Sequence, residues 1–93
     1  MWEIYEHRRL VRGIPRLPRR ILERYEKWKD IVRLSGPSGL RLIQGLHDES
    51  LRGEWKGHRS SRLGMQYRVI YRVVSREVFV LVIDITAHDY QKR

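Results

Sequence analysis

An α+β fold is predicted, with an N-terminal strand and a helical hairpin packed on one face of a small antiparallel sheet, from three features of the 93-residue chain. Apolar residues recur at helical spacing from Leu17 to Val32, three β-prone runs follow one another between Arg59 and Ile85, and a short β-prone segment opens the chain. Trp2 and Ile4 mark that opening strand, and His7 to Arg12 form a brief helix that Gly13 ends. Leu17, Ile21, Tyr25, Trp28 and Val32 then define a helix over 17–34, with Pro18 suited to its first turn and Gly36 to its stop. Its other positions carry Arg16, Arg19, Arg20, Glu23, Lys27 and Asp30, a solvated face or a cationic flank toward RNA. Ser35 to Gly39 is turn chemistry, followed by Leu40, Leu42 and Ile43, which call for burial in another short helical turn. The segment from Gly45 to Gly57 reads as a polar loop with a strand edge, anchored by Leu46, Leu51 and Trp55. Strands follow over 59–63, 67–74 and 78–85, joined by connections of hairpin length. The last run is apolar at nearly every position, as a central strand covered on both faces should be.

A chain of this length is expected to form one domain, residues 1–93, with no room beside it for a cofactor-binding domain. Lysine and arginine number 20 against 11 acidic residues, a formal charge of +9, which favours a polyanionic partner: nucleic acid, a ribosome or an acidic protein. The absence of cysteine excludes disulfides and thiolate zinc sites, and the four histidines, His7, His47, His58 and His88, lack metal-ligand spacing, so no metal or other cofactor is expected. The N-terminus runs from Trp2 and Ile4 straight to His7, Arg8 and Arg9, without the apolar core of a signal peptide, and no stretch approaches the ~18 apolar residues of a spanning helix. The cytoplasm, with no membrane partner, is the expected location.

Chemistry concentrates in the last third. Alternation sets Arg68 and Ile70 on one face of their strand and Tyr67, Val69 and Tyr71 on the other. An arginine among half-buried neighbours needs an anion, either an internal carboxylate such as Asp84 or Glu49 or a bound phosphate that its planar donor fork fits. In the preceding strand Arg62 shares a face with Ser60, and Arg59 shares the other with Ser61, so one of the two arginines points to the Arg68 side. His88 follows the longest strand with Asp89 and Tyr90; an imidazole titrates near neutrality and can move protons. Taken singly, such a histidine is a surface residue and Tyr90 packs the tail on the sheet. Glu49, in the polar loop, is either solvated or a proton acceptor at the same place. The candidate catalytic set is thus Glu49, Arg62, Arg68, His88 and Tyr90, with Lys56, Arg59, Ser60, Gln66 and Asp89 as candidate RNA-binding positions around it.

The run Leu51, Gly53, Trp55, Gly57, Arg59, Ser60, Ser61, Arg62, Leu63, then Tyr67, Arg68, Val69, Ile70, Tyr71, and the closing His88, Asp89, Tyr90, resembles toxins of the RelE/ParE superfamily of bacterial type II toxin-antitoxin modules over nearly the whole chain. The resemblance implies a ribosome-dependent endonuclease that enters the decoding site and cuts messenger RNA without a metal. It places Arg68 at the arginine that contacts the scissile phosphate and Arg62 near a second basic position. It places His88 and Tyr90 at the terminal histidine and tyrosine of YoeB- and YafQ-like members, and Glu49 at the glutamate base of YoeB-like ones. Where RelE has lysines in its active strand, this chain has Ser60 and Ser61 nearby. The implied reaction is attack by the RNA's own 2′-hydroxyl, deprotonated by Glu49 or His88, leaving a 2′,3′-cyclic phosphate and a 5′-hydroxyl. A small antitoxin carrying a DNA-binding domain is the implied protein partner. Two other readings stand beside it: a ParE-like toxin acting on gyrase, which would need neither His88 nor Glu49, and a non-catalytic RNA- or protein-binding module in which the arginines only hold phosphates.

Overall fold

Helix and strand boundaries follow the side chains that need burial. In the computed structural model, which describes residues 1–64 and 66–85, helix α1 spans Arg19–Ser35 and buries Ile21, Tyr25, Trp28 and Val32, a single stripe at intervals of four, three and four residues. Each such side chain contributes about 1.5–3 kcal/mol on burial. Pro18 stays extended and lets its carbonyl accept from the Leu22 N–H at 2.9 Å, so the helix starts two residues later than the apolar spacing alone suggests. Its end is set by Gly36, whose N–H donates to the Val32 carbonyl at 2.8 Å and whose φ of 75° and ψ of 177° fall in a region open essentially to glycine alone. That conformation turns the chain directly into α2, Pro37–Arg41, and buries Leu40. The brief helix expected over 7–12 is a 3-10 turn at Arg8–Leu10, followed by another at Ile14–Arg16.

The strands among the described residues are β1 (Glu3–Glu6), β2 (Glu49–Ser50), β3 (Arg59–Arg62), β4 (Tyr67–Val74) and β5 (Glu77–Ile85), in the order β1-β5-β4-β3-β2. From β2 to β5 every pairing is antiparallel, but β1 lies parallel to β5, so the sheet is mixed rather than wholly antiparallel as expected. A parallel pair needs a long crossover, and both helices lie in the chain between its two strands. The loop expected over 45–57 supplies the two-residue edge strand β2.

Both helices pack on one face of this sheet, where Val69, Tyr71, Val78 and Val80 meet the α1 stripe and Leu40. Trp28 stands edge-on to Tyr71 at 5.3 Å and stacks on Tyr25 at 5.8 Å. The phenol of Tyr25 donates to Glu6 at 2.5 Å; burial first, then that hydrogen bond, pushes its ionisation well above the ordinary range. Between Ile70–Val82 and Tyr71–Val80 the ladder skips Leu81, a β-bulge that brings Ile83 back against the core. The opposite face is more open than the sequence suggests for β5, because Phe79 there is only half-buried. Among the described residues, no helix is long and apolar enough to cross a membrane.

Gly36 is the sharpest point of this assembly, because a Cβ there would stand 2.6 Å from the indole of Trp2. Gly36→Ala is expected to lower unfolding free energy by roughly 1–3 kcal/mol from backbone strain, with the Trp2 contact adding to the loss. Urea denaturation followed by tryptophan fluorescence measures it, and an unshifted midpoint would show that the junction tolerates a side chain.

Candidate functional site

The open face of β3 and β4 gathers the predicted cations. Arg62 and Arg68 are direct partners in the antiparallel register, which places their Cα atoms about 4.5–5.5 Å apart and their side chains on one face. Like charges directly opposite each other destabilise a sheet. Arg68 offsets this locally: its Nη1 donates to Ser60 Oγ at 3.0 Å and lies 3.5 Å from Glu49 Oε2. Glu49 reaches the same face because it is the register partner of Ser60. Its side chain is 44% exposed and that of Arg68 15%, so the carboxylate is wet while the guanidinium is held in the sheet. Arg62 is half-buried and has no ion-pair or hydrogen-bond partner among the described residues. The arrangement leaves one arginine oriented by protein groups and one available to an outside anion, with a carboxylate beside them.

Four of the ten predicted site residues, Glu49, Arg62, Arg68 and Ser60, therefore converge, with Ser60 beneath the other three. Ser60 is fully buried and accepts from Arg68, so it positions the guanidinium rather than presenting a hydroxyl to RNA as expected. Arg59 does not join the set. It points to the helix-covered face, where its Nε donates to Asp48 Oδ1 at 2.7 Å and its Nη1 to Ser50 Oγ at 2.8 Å. Lys56 and Gln66 are exposed in the connections flanking β3. His88, Asp89 and Tyr90 lie outside the described residues. No group of three or more His, Asp or Glu side chains is gathered for a metal among the described residues.

Asp48, absent from the predicted site, holds the arrangement from below. Its side chain has no exposed area. Besides Arg59, it accepts from Ser61 Oγ at 2.6 Å and from the Tyr71 hydroxyl at 2.5 Å, and Ser61 Oγ in turn accepts from Trp28 Nε1 at 2.9 Å. One carboxylate thus ties the segment leading into β2 to β3, β4 and, through Ser61, to α1. Burial opposes the charge on Arg59, but the hydrogen bond and attraction of Asp48 outweigh it and raise the guanidinium above its ordinary value. Burial, then the Asp48 charge and hydrogen bond, push the Tyr71 phenol upward in turn. Because Glu49 follows Asp48 directly, this buried anchor sets where the Glu49 carboxylate stands.

Next to the open face, where the edge of β3 is left uncovered beyond β2, lies a groove of about 430 Å³ between α1 and the 44–46 turn. Ile31, Ile43, Leu46 and Leu63 give it apolar walls, and Arg24, Lys27 and Arg62 line it with charge.

No protein-family model matches the chain, and no curated protein matches its sequence. Solved structures do match. YafQ from E. coli strain BL21(DE3) superposes with a TM-score of 0.74 at 13% identity, over 97% of this chain and 99% of that one. RelE in the archaeal RelE-RelB complex from Pyrococcus horikoshii OT3 gives 0.72 at 23%, over 92% and 96%. The heterotetrameric YoeB-YefM toxin-antitoxin complex from Staphylococcus aureus gives 0.71 at 13%, over 90% and 95%. The chain has the RelE-like fold of these proteins, as the sequence resemblance implies.

Replacing Asp48 by alanine strands Arg59 on a buried face without its carboxylate, so Asp48→Ala is expected to cost about 3–5 kcal/mol of stability. The raised Tyr71 phenol adds a pH signature. A neutral phenol that ionises less readily when folded stabilises fully below about pH 10, where the unfolded phenol is still protonated, and that stability is lost as pH rises above it. Without Asp48 the alkaline loss traced to Tyr71 should shrink. Urea titrations of wild type and variant at neutral and alkaline pH test both; equal stability at neutral pH would remove Asp48 from its role.

Proposed function

We propose that this chain is the toxin of a type II toxin-antitoxin module and a metal-independent endoribonuclease that cuts messenger RNA in the ribosomal decoding site. The observation that carries the reading is the like-charged pair Arg62 and Arg68, set opposite each other with Glu49 alongside. A sheet that tolerates such a pair is suited to an anion bringing more than one charge, as a phosphodiester does when its phosphorus gains a fifth oxygen. The fold shared with YoeB, YafQ and RelE supports the toxin assignment.

In the proposed mechanism, the scissile phosphate lies across Arg62 and Arg68. Arg68 exchanges its long 3.5 Å contact with Glu49 for a phosphate oxygen, which frees the carboxylate. Glu49 or His88 takes the proton of the adjacent 2′-hydroxyl, whose oxygen attacks phosphorus while the bond to the 5′-oxygen breaks. Both guanidiniums stabilise the charge on the phosphorane oxygens, and His88 or Tyr90 supplies the proton to the leaving 5′-oxygen. Ser60 accepts from the Arg68 guanidinium on the open face and is a positioning residue. The antitoxin covers the cationic face, and the groove beside Arg62, lined by both apolar and cationic side chains, suits an acidic amphipathic segment of it.

Programmed ribosomes incubated with the purified protein, with breaks mapped by primer extension, test this reading. Arg68→Ala is expected to lower cleavage by about 10²–10³-fold while still reaching the ribosome, and Glu49→Gln by about 10²–10⁴-fold where Glu49 is the base. A message carrying 2′-deoxyribose at the cleaved position should stay intact. Cutting of that message would exclude the mechanism, and inhibited DNA supercoiling with untouched message would favour a gyrase-directed toxin.

A further inference from the structure

Four residues along β4 from Arg68, about 13 Å at the usual strand rise, the same open face carries a row of planar groups. Tyr5 of β1 and Phe79 of β5 are register partners whose rings stack at 5.3 Å and 19°. Arg72 of β4, the partner of Phe79 on its other side, holds its guanidinium 5.9 Å from that ring. These side chains stand outside the helix-covered core cluster. Tyr5 is 46% exposed, Arg72 is exposed, and Phe79 between them is half-buried.

We propose that Tyr5, Phe79 and Arg72 form a stacking subsite for the base of a nucleotide flanking the cleaved bond. The inference rests on the ribonuclease reading above and extends the RNA path beyond the scissile phosphate. Stacking on an aromatic ring or a guanidinium plane is how single-stranded RNA is held when its bases are splayed out. Pairing within the sheet sets the three residues side by side on one face, and the Tyr5 hydroxyl lies 3.5 Å from Glu77 Oε2. Charge sets the polarity of the site. Glu3 and Glu77 are register partners beside Tyr5, so that end repels phosphate and accepts an uncharged ring. The backbone of the same nucleotide is left to run on the Arg72 side, toward Arg68 and Arg62. A cross-strand ladder serving only to stabilise the sheet would hold the same contacts, and the two roles separate in kinetics.

The experiment uses the full chain on programmed ribosomes, with KM and kcat for message cleavage as readouts. The variant Tyr5→Leu/Arg72→Lys keeps apolar bulk and positive charge but removes two planar surfaces, and is expected to raise KM about tenfold with kcat unchanged. Messages carrying an abasic nucleotide at successive positions on either side of the break give an independent arm on the wild type, which needs no altered protein. One position should raise KM by a similar factor, and the variant should be insensitive there. An unchanged KM in the variant, or no sensitive position in the wild type, overturns the subsite while cleavage itself still stands. Absence of any cleavage by the wild type would instead remove the ribonuclease reading, and this inference with it.

Discussion

A single buried carboxylate, Asp48, is the constraint on which the candidate site depends. Three hydrogen bonds converge on it from two strands, and Ser61 passes the connection on to the indole of Trp28. An isolated buried carboxylate would be strongly unfavourable, so its donors are required as much as it is. The consequence is geometric. A short edge strand of two residues has little pairing of its own, yet Glu49 is held opposite Ser60 because the residue before it is locked beneath the sheet.

From that anchor the two faces of the sheet acquire different work. Beneath, Arg59 is neutralised by Asp48 and the aromatic residues of α1 close the core. Above, Arg62 and Arg68 are left facing each other, with the half-exposed Glu49 carboxylate beside Arg68. Folding stability alone does not favour this pairing; it is the local rule that the sheet breaks, and such breaks concentrate at functional sites. The surplus of positive charge over the whole chain is the long-range counterpart of the proposed phosphate site.

Much of this was legible in the sequence. The α1 stripe, the strands β3, β4 and β5 and their connections follow from periodicity, and strand alternation separates Arg62 from Arg59 by face. What alternation could not supply was which face the helices cover, so Arg59 read as an RNA contact when it belongs to the core side. The signal for Asp48 was present but indirect. Arg59 and Ser61 share a face with Tyr71, and polar groups on a covered face require a buried partner. Asp48 stands in a segment whose sequence has no periodicity to aim its side chain at that face. The parallel placement of β1 was equally hidden, because pairing between elements more than seventy residues apart leaves no local pattern.

In the proposed reaction the open-face arginines and carboxylate cut RNA through its own 2′-hydroxyl. The most direct measurement is the mass of the fragment ends released when purified protein acts on a message bound to ribosomes. A 2′,3′-cyclic phosphate on one fragment and a 5′-hydroxyl on the other is the predicted pair. A 3′-hydroxyl with a 5′-phosphate would mean that water, not the sugar, attacked phosphorus, and would contradict it.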